Sequence, residues 1–365
     1  MKIHGEPTRS IWPLPDGSGV GTIDQARLPH RLARLELRDA AAVEQAIRSM
    51  QVRGAPLIGV AGAYGLAMAL RAHADDAALV RAHQRLNEAR PTAVNLRWAL
   101  DRVRRRVAPL APGERAAAAW DEAGRIADED VAINHALGAH GARLLAERQR
   151  GLGRPERPLN VLTHCNAGWI ATVDYGTALS AVYQAHDAGV PLHVWVDETR
   201  PRNQGLLTAW ELAAHGVPYT LIADNAGGHL MQRGQVDMVI VGADRVTRHG
   251  DVCNKIGTYL KALAAHDNGV PFYAAVPSPT IDWQVRDALA EIPIEDRGGD
   301  ELRRVGGLDA QGQPAQVAIA PPDTPAANPA FDVTPARLVT GIITERGIAA
   351  PAALAALFMQ PAAAE

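Results

Sequence analysis

The stretch Leu159-Asn-Val-Leu-Thr-His-Cys-Asn166 joins an apolar run of strand length directly to a polar cluster, and the chain repeats that sequence of events downstream. Further apolar runs follow at Leu192 to Val196, Tyr219 to Ala223, Met238 to Val241 and Phe272 to Val276. Helix-length segments separate them, and they close on Asp197-Glu-Thr199, Asp224-Asn225, Asp244-Arg245 and Pro277-Ser278. Near-continuous apolar strands alternating with helices predict a parallel sheet covered on both faces by crossover helices. In such a sheet a ligand sits outside the carboxyl ends of the strands. Cys165, just past the first of these strands, and Asp244, just past the fourth, are therefore candidates to meet in one pocket. A thiol and a carboxyl there suggest proton chemistry.

Upstream, Arg150 to Pro158 contains Gly151, Gly153 and Pro155 and reads as a linker. Before it, helical spacing of apolar residues runs through Ala40 to Met50, Ala55 to His73, Ala77 to Asn87, Thr92 to Val107 and the Ala-rich Gly113 to Arg150. The fold class expected is thus α/β: a mostly helical domain over residues 1–150, then a Rossmann-like parallel-sheet domain over 151–365. Gly306 to Thr334, rich in Pro, Ala and Gly, reads as a long loop, and the Ala-rich Ala349 to Glu365 as a tail that frays. Gly17-Ser-Gly-Val-Gly21 reads as a turn, and no internal repeat is visible.

Bulk properties narrow the function. The chain has 365 residues, 47% hydrophobic and 21% charged, as expected of a globular protein with a sizeable core. Its 37 basic and 40 acidic residues leave a net charge of -3, which gives no overall attraction to nucleic acid, so any anion site is local. Two cysteines, Cys165 and Cys253, support neither a disulfide framework nor a multi-cysteine zinc site and fit a reducing cytoplasm. No leader-like segment opens the sequence, and its most apolar stretch, Ala55 to Leu70, is glycine-interrupted and short for a membrane span. Neither G-x-G-x-x-G after the first sheet strand nor G-x-x-x-x-G-K-[ST] occurs, so nucleotide-binding turns find no support.

Several short motifs admit a chemical and a purely structural reading. Arg53-Gly-Ala-Pro56 opens an apolar helix, where backbone N–H groups and a guanidinium hold phosphate, or a helix start sits beside a solvated arginine. Asn95-Leu-Arg97-Trp98 is either a ligand contact or an ordinary amphipathic helix. Glu198-Thr-Arg-Pro-Arg-Asn-Gln-Gly205 either meets sugar hydroxyls or caps a helix with its arginines in water. Asn254-Lys255 precedes a helical stretch and either binds an anion or does not, and Asp244 either works chemically or pairs with Arg245. Cys165 is either a reactive thiol or a small buried hydrophobe, and Cys253, without a matching partner, reads as packing.

Taken together and in this order, these blocks, with Gly242-Ala-Asp-Arg245 and Gly250-Asp-Val-Cys-Asn-Lys-Ile-Gly-Thr-Tyr259, closely resemble the methylthioribose-1-phosphate isomerase family of methionine salvage over roughly residues 20 to 350. That group also contains ribose-1,5-bisphosphate isomerases and regulatory subunits of a translation-factor nucleotide exchanger, which share the fold and not the activity. The resemblance implies conversion of 5-methylthioribose 1-phosphate, an aldose, to 5-methylthioribulose 1-phosphate, a ketose. It implies a catalytic pair, Cys165 and Asp244, and substrate contacts from Arg53, Gly54, Ala55, Arg97, Gln204, Asn254 and Lys255. It also implies a homodimer acting on a small sugar phosphate. No cofactor is expected, nor a metal, since the thirteen histidines show no paired ligand spacing with carboxylates or cysteines near this site, and the charge and hydropathy give no reason to expect nucleic acid or membrane. Cys253, where a small residue such as alanine is commoner, and the Ala-rich tail depart from the family pattern.

The chemistry is demanding because C1 carries a phosphate ester, so an acid has to assist departure of the ring oxygen. Asp244 is expected to be that acid, working from apolar surroundings with Arg245 turned away and Lys255 engaged by phosphate. Hydrogen then moves from C2 to C1, either as a proton through Cys165 or as a hydride past it. An apolar methylthio group is expected near Trp98, Trp169 and Pro56. Two alternatives stand beside this one: isomerisation of another pentose 1-phosphate, namely 5-deoxyribose 1-phosphate or ribose 1,5-bisphosphate, and a non-catalytic regulatory subunit.

Overall fold

Aliphatic residues at alternating positions place opposite faces of each central strand in different cores, which is the period-2 geometry of a sheet buried on both sides. Val161, Val194 and Ile240 face one core, while Leu162, Val239 and Val241 face the other. These contacts are seen in a computed structural model that describes every residue except His4 and 360–365. The expected parallel strands form at Leu159–Thr163, Leu192–Asp197, Tyr219–Ile222, Met238–Val241 and Phe272–Ala275. Gly341–Thr344 adds a sixth parallel strand and Gly347–Ala349 an antiparallel edge, closing a seven-stranded sheet.

The order across that sheet is what positions a site. From Leu159–Thr163 the chain steps outward through Leu192–Asp197 to Tyr219–Ile222, then returns to the other side of its starting strand with Met238–Val241 and steps outward again. The reversal leaves a crevice between the carboxyl ends of Leu159–Thr163 and Met238–Val241, paired at Leu162 and Val239.

The helical half consists of α1 (Ala40–Arg48), α2 (Ala55–Ala72), α3 (Asp76–Asn87), α4 (Val94–Val107) and the 40-residue α5 (Pro112–Gly151). By length and composition α2 is apolar enough to cross a membrane, but most of it is buried among its neighbours in the helical core. Helix α5 belongs to both halves. Ala119, Ala123 and Ile126 pack in the helical core, whereas Leu137 and Leu145 pack in a core of the sheet. Crossover helices α6 (Ala178–Asp187), α7 (Gly205–His215), α8 (Ala226–Gln232) and α9 (Thr258–Asp267) complete the layers.

Three regions differ from the sequence-based expectation. Within the mostly helical first half, Arg34–Leu37 is one strand of a three-stranded antiparallel sheet with Ile11–Pro13 and Val20–Ile23, and the glycine-rich stretch forms the expected turn between the latter two. The span 306–334 is not one loop. Arg304–Leu308 and Pro314–Ala318 pair as a hairpin, and Phe331–Thr334 joins a four-stranded sheet with Val252–Lys255, Arg245–Thr247 and Ile281–Asp282. The hairpin is largely exposed, so it lacks the apolar alternation by which strands are recognised. In the Ala-rich tail, Ala349 ends the antiparallel edge strand, Leu354–Met359 is helical, and residues 360–365 lie outside the described part.

Candidate active site

Cys165 and Asp244 leave the two strands that flank the crevice, and they line one cavity of about 50 Å³. With them in its wall are Arg53, Gly54, Ala55, Gln204, Asn254 and Lys255. Of the residues picked out by resemblance, Arg97 alone is not among those lining the cavity. Helix α4 turns Asn95 inward and leaves Arg97 exposed on its outer side. Arg90, on the turn before that helix, lines the cavity instead, a residue that no motif signalled. The side chains expected to shelter a methylthio group divide similarly. Pro56 lines the cavity, Trp98 lines a separate one and Trp169 is buried in the sheet's core. The apolar wall is made by Met50, Pro56, Pro277 and Phe331.

Each side of the cavity has a structural origin. Gly54 stands at φ +95°, and a Cβ there would lie 2.3 Å from the Ala171 carbonyl oxygen, so only glycine lets α2 begin this close to the loop after Cys165. Pro56 sits in the first turn of α2, whose first N–H groups have no side-chain cap. Gln204 is buried and its Oε1 has no hydrogen-bond partner among the described residues. Asn254 and Lys255 lie on a strand rather than at a helix start. The N-terminus of α9 begins after them and is occupied by Asp332, which accepts from Gly257 N at 2.7 Å and Tyr259 N at 3.1 Å. A larger cavity of about 930 Å³ shares Met50, Arg53 and Gln204 as walls and adds Arg27, Arg31, Arg202 and Arg304.

Cys165 has φ +68°, the left-handed region that residues with a Cβ seldom adopt. Its N–H donates to Thr199 Oγ1 at 2.8 Å and its carbonyl accepts from Thr208 Oγ1 at 2.8 Å. Thus the polar 198–205 link serves this loop, and its arginines are not simply solvated, since Arg202 pairs with Glu301 at 2.8 Å. Burial pushes the Cys165 thiol above its ordinary range, with Arg53 and Lys255 opposing and Asp244 reinforcing. Burial likewise lowers Lys255, whose ammonium lies 4.6 Å from the Phe331 ring centroid. Arg245 is turned away from Asp244, bonding Thr92 O at 2.8 Å and Asp282 at 3.3 Å. The Asp244 carboxylate accepts no hydrogen bond among the described residues. Cys253 packs with Val285, Ile292 and Phe331, and burial pushes its thiol up to about 12.

Beneath Cys165, His164, Asp197 and Asp224 converge closely enough to suggest metal ligands. Both imidazole nitrogens are already engaged, Nδ1 by Asp197 and Nε2 by the Ile256 carbonyl, each at 2.8 Å. Lys261 supplies the compensating charge 3.3 Å from Asp197. The donor set fits a charge-balanced buried network better than a cation site.

A thiol, a carboxylate without a hydrogen bond among the described residues and several cations line one pocket at the switch point of a doubly wound scaffold, a lining suited to a small anionic ligand. The profile of the initiation factor 2 subunit family matches residues 51–351, and the chain belongs to that family. A methylthioribose-1-phosphate isomerase of Rhodospirillum rubrum is 60% identical, covering 100% of this chain and 95% of its own length. Among solved structures, 5-methylthioribose 1-phosphate isomerase from Pyrococcus horikoshii is 40% identical with a TM-score of 0.82, covering 97% of this chain and 96% of that one. A structure named as translation initiation factor eIF-2B, subunit delta, from A. fulgidus is also 40% identical, with a TM-score of 0.76 and coverage of 96% and 98%. Two names on one scaffold at one identity make the residues of the site, not the fold, the discriminating feature.

Proposed function

We infer that this chain is an aldose–ketose isomerase that converts 5-methylthio-D-ribose 1-phosphate to 5-methylthio-D-ribulose 1-phosphate in methionine salvage. The observation that carries the reading is the pairing of Cys165 with Asp244 across the switch point in a cavity that also presents Arg53, Arg90 and Lys255. The phosphate is held by those cations and by the open N-terminus of α2, with Gly54 and Ala55 letting it approach the backbone. The buried, unpartnered Gln204 Oε1 accepts a sugar hydroxyl, and Asn254 donates alongside it. Met50, Pro56, Pro277 and Phe331 offer apolar surface to the methylthio end.

In this reading Asp244 protonates the ring oxygen as the bond from that oxygen to C1 breaks. The hydrogen on C2 moves to C1 with its electron pair, the C2 hydroxyl gives its proton back to the Asp244 carboxylate, and C2 becomes the ketone while the phosphate stays on C1. The thiol of Cys165, pushed above its ordinary range, remains protonated near neutrality. That favours a hydride shift past an uncharged sulfur over abstraction by a free thiolate. Deuterium at C2 tests the choice: full retention at C1 is expected, and exchange with solvent would overturn it. A homodimer in the cytoplasm is part of the same proposal, to be checked by light scattering and fractionation.

Phosphorus and proton NMR of the protein with 5-methylthioribose 1-phosphate, 5-deoxyribose 1-phosphate and ribose 1,5-bisphosphate tests the function. Ketose forming fastest from the methylthio sugar is expected, and faster turnover of either other sugar would reassign the substrate. No turnover of any of the three by folded protein would favour a regulatory subunit. Cys165→Ser and Asp244→Asn are each expected to lower kcat by about a hundredfold or more without unfolding the protein.

A further inference from the structure

Glu211, on α7, is 1% exposed and has no ion-pair partner among the described residues, yet it accepts three hydrogen bonds. Oε1 takes one from Asn166 Nδ2 at 2.7 Å, and Oε2 takes the others from Trp169 N at 2.7 Å and Tyr183 OH at 2.8 Å. The carboxylate therefore grips both ends of the loop that leaves Cys165. A Cβ on Gly168 would lie 1.9 Å from Oε2, so the loop closes on this carboxylate with no room for a side chain.

Asn166 is the link outward. A carboxylate only accepts, so Glu211 forces the Asn166 amide to turn its NH2 inward and its Oδ1 outward. Outward stands Arg53, whose Nη1 donates to that Oδ1 at 2.6 Å and whose Nη2 donates to the Asn166 carbonyl at 2.9 Å. This two-point grip holds the plane of a guanidinium that is itself buried in the cavity wall. One turn before Glu211 on the same helix face, Thr208 donates to the Cys165 carbonyl and accepts from Asn166 at 3.2 Å.

We propose that Glu211 is a positioning residue of the sugar-phosphate site, acting through the Asn166 amide to orient Arg53 toward the substrate phosphate. The inference rests on the reading of Arg53 as a phosphate contact. Glu211 itself touches no substrate. Above about pH 7, where Glu211 is ionised, its charge also offsets that of a buried arginine and keeps Arg53 ionised without an ion pair that would compete with phosphate.

The test is steady-state kinetics of Glu211→Gln, with inorganic phosphate as competing anion. The new amide sets a second NH2 against the same donors, so the Asn166 amide turns over or the loop loses an acceptor. KM for 5-methylthioribose 1-phosphate is expected to rise about tenfold and phosphate inhibition to weaken in proportion, with a smaller change in kcat. Asn166→Ala should give a similar KM, and the double variant should be no worse than either single one, because both changes cut one link. Glu211→Gln within about twofold of wild type in KM and phosphate inhibition, or effects that multiply in the double variant, would overturn the proposal. If Glu211→Gln does not fold, Asn166→Ala with an unchanged KM overturns it instead. Failure of the underlying reading is distinguishable, since Arg53→Gln would then leave both KM and phosphate inhibition unaltered.

Discussion

Thr199 Oγ1 accepts the N–H of Cys165 at 2.8 Å, joining the loops that follow two neighbouring strands of the sheet. Both residues have positive φ, 68° for Cys165 and 63° for Thr199, so each occupies a conformation that costs about 1–3 kcal/mol and persists only under restraint. The restraint on Thr199 is visible: its N–H donates to Asp224 at 2.8 Å and its hydroxyl donates to the Asp197 carbonyl at 3.1 Å. Thr199→Val keeps the shape and removes the acceptor, leaving a buried N–H unsatisfied at a cost of about 1–3 kcal/mol. Urea unfolding should show that loss, with kcat falling about tenfold or more as the thiol shifts. Thr199→Ser retains the oxygen and should stay close to wild type in both.

The electrostatic surroundings of Cys165 predict two variants of opposite sign. Burial gives the largest upward push on the thiol's pKa, Arg53 opposes it and Asp244 adds to it. Arg53→Gln should therefore slow iodoacetamide alkylation of Cys165 at pH 8 by about threefold, and Asp244→Asn should speed it by a similar factor. Mass spectrometry of the Cys165 peptide reads the rate. Shifts of the same sign in both variants would mean that access, not charge, controls the thiol.

The parallel strands were legible because burial on both faces demands unbroken apolar runs, and the polar residue closing each run was legible as the edge of a crevice. The bringing together of Cys165 and Asp244 followed from topology alone. What was not legible depends on packing direction. Gly341-Ile-Ile-Thr344 is short and lies beyond the hairpin that interrupts the domain, so its place in the sheet is set by pairing with Phe272–Ala275. The division between halves is blurred by α5, whose apolar spacing is the same along its length although its two ends face different cores. Glu211 carried no motif at all, because its meaning comes from three donors on other elements.

Arg90 and Arg97 present the sharpest divergence between motif and geometry. Arg90 lines the cavity, its Nη1 lying 3.3 Å from the Met50 sulfur, while Arg97 is exposed on α4. Removing a cation from a desolvated anion site costs binding, whereas a solvated arginine contributes little. Arg90→Ala should raise KM by about tenfold and weaken inhibition by inorganic phosphate, and Arg97→Ala should change KM by less than about twofold. A reversed order in substrate titrations would return the phosphate contact to α4.

Two buried carboxylates make stability depend on pH near neutrality. Asp130 on α5 is lifted from 3.8 to about 7, chiefly by burial with Asp174 adding to the rise, against hydrogen bonds from Val173 and Asn134 and the opposing charge of Arg9. Glu211 is lifted from 4.5 to about 7, again chiefly by burial, against bonds from Asn166, Tyr183 and Trp169 and the opposing charge of Arg53. Both folded-state values lie above the unfolded ones, so the folded protein binds these protons more tightly. Their stabilisation is complete below the unfolded values and is lost as pH rises through about 7. Between pH 6 and pH 8 each group should cost the fold about 1 kcal/mol. Urea midpoints should therefore fall over that interval in the wild type, and Asp130→Asn, which cannot ionise, should fall by about half as much. An unchanged slope in that variant would place the titration elsewhere in the protein.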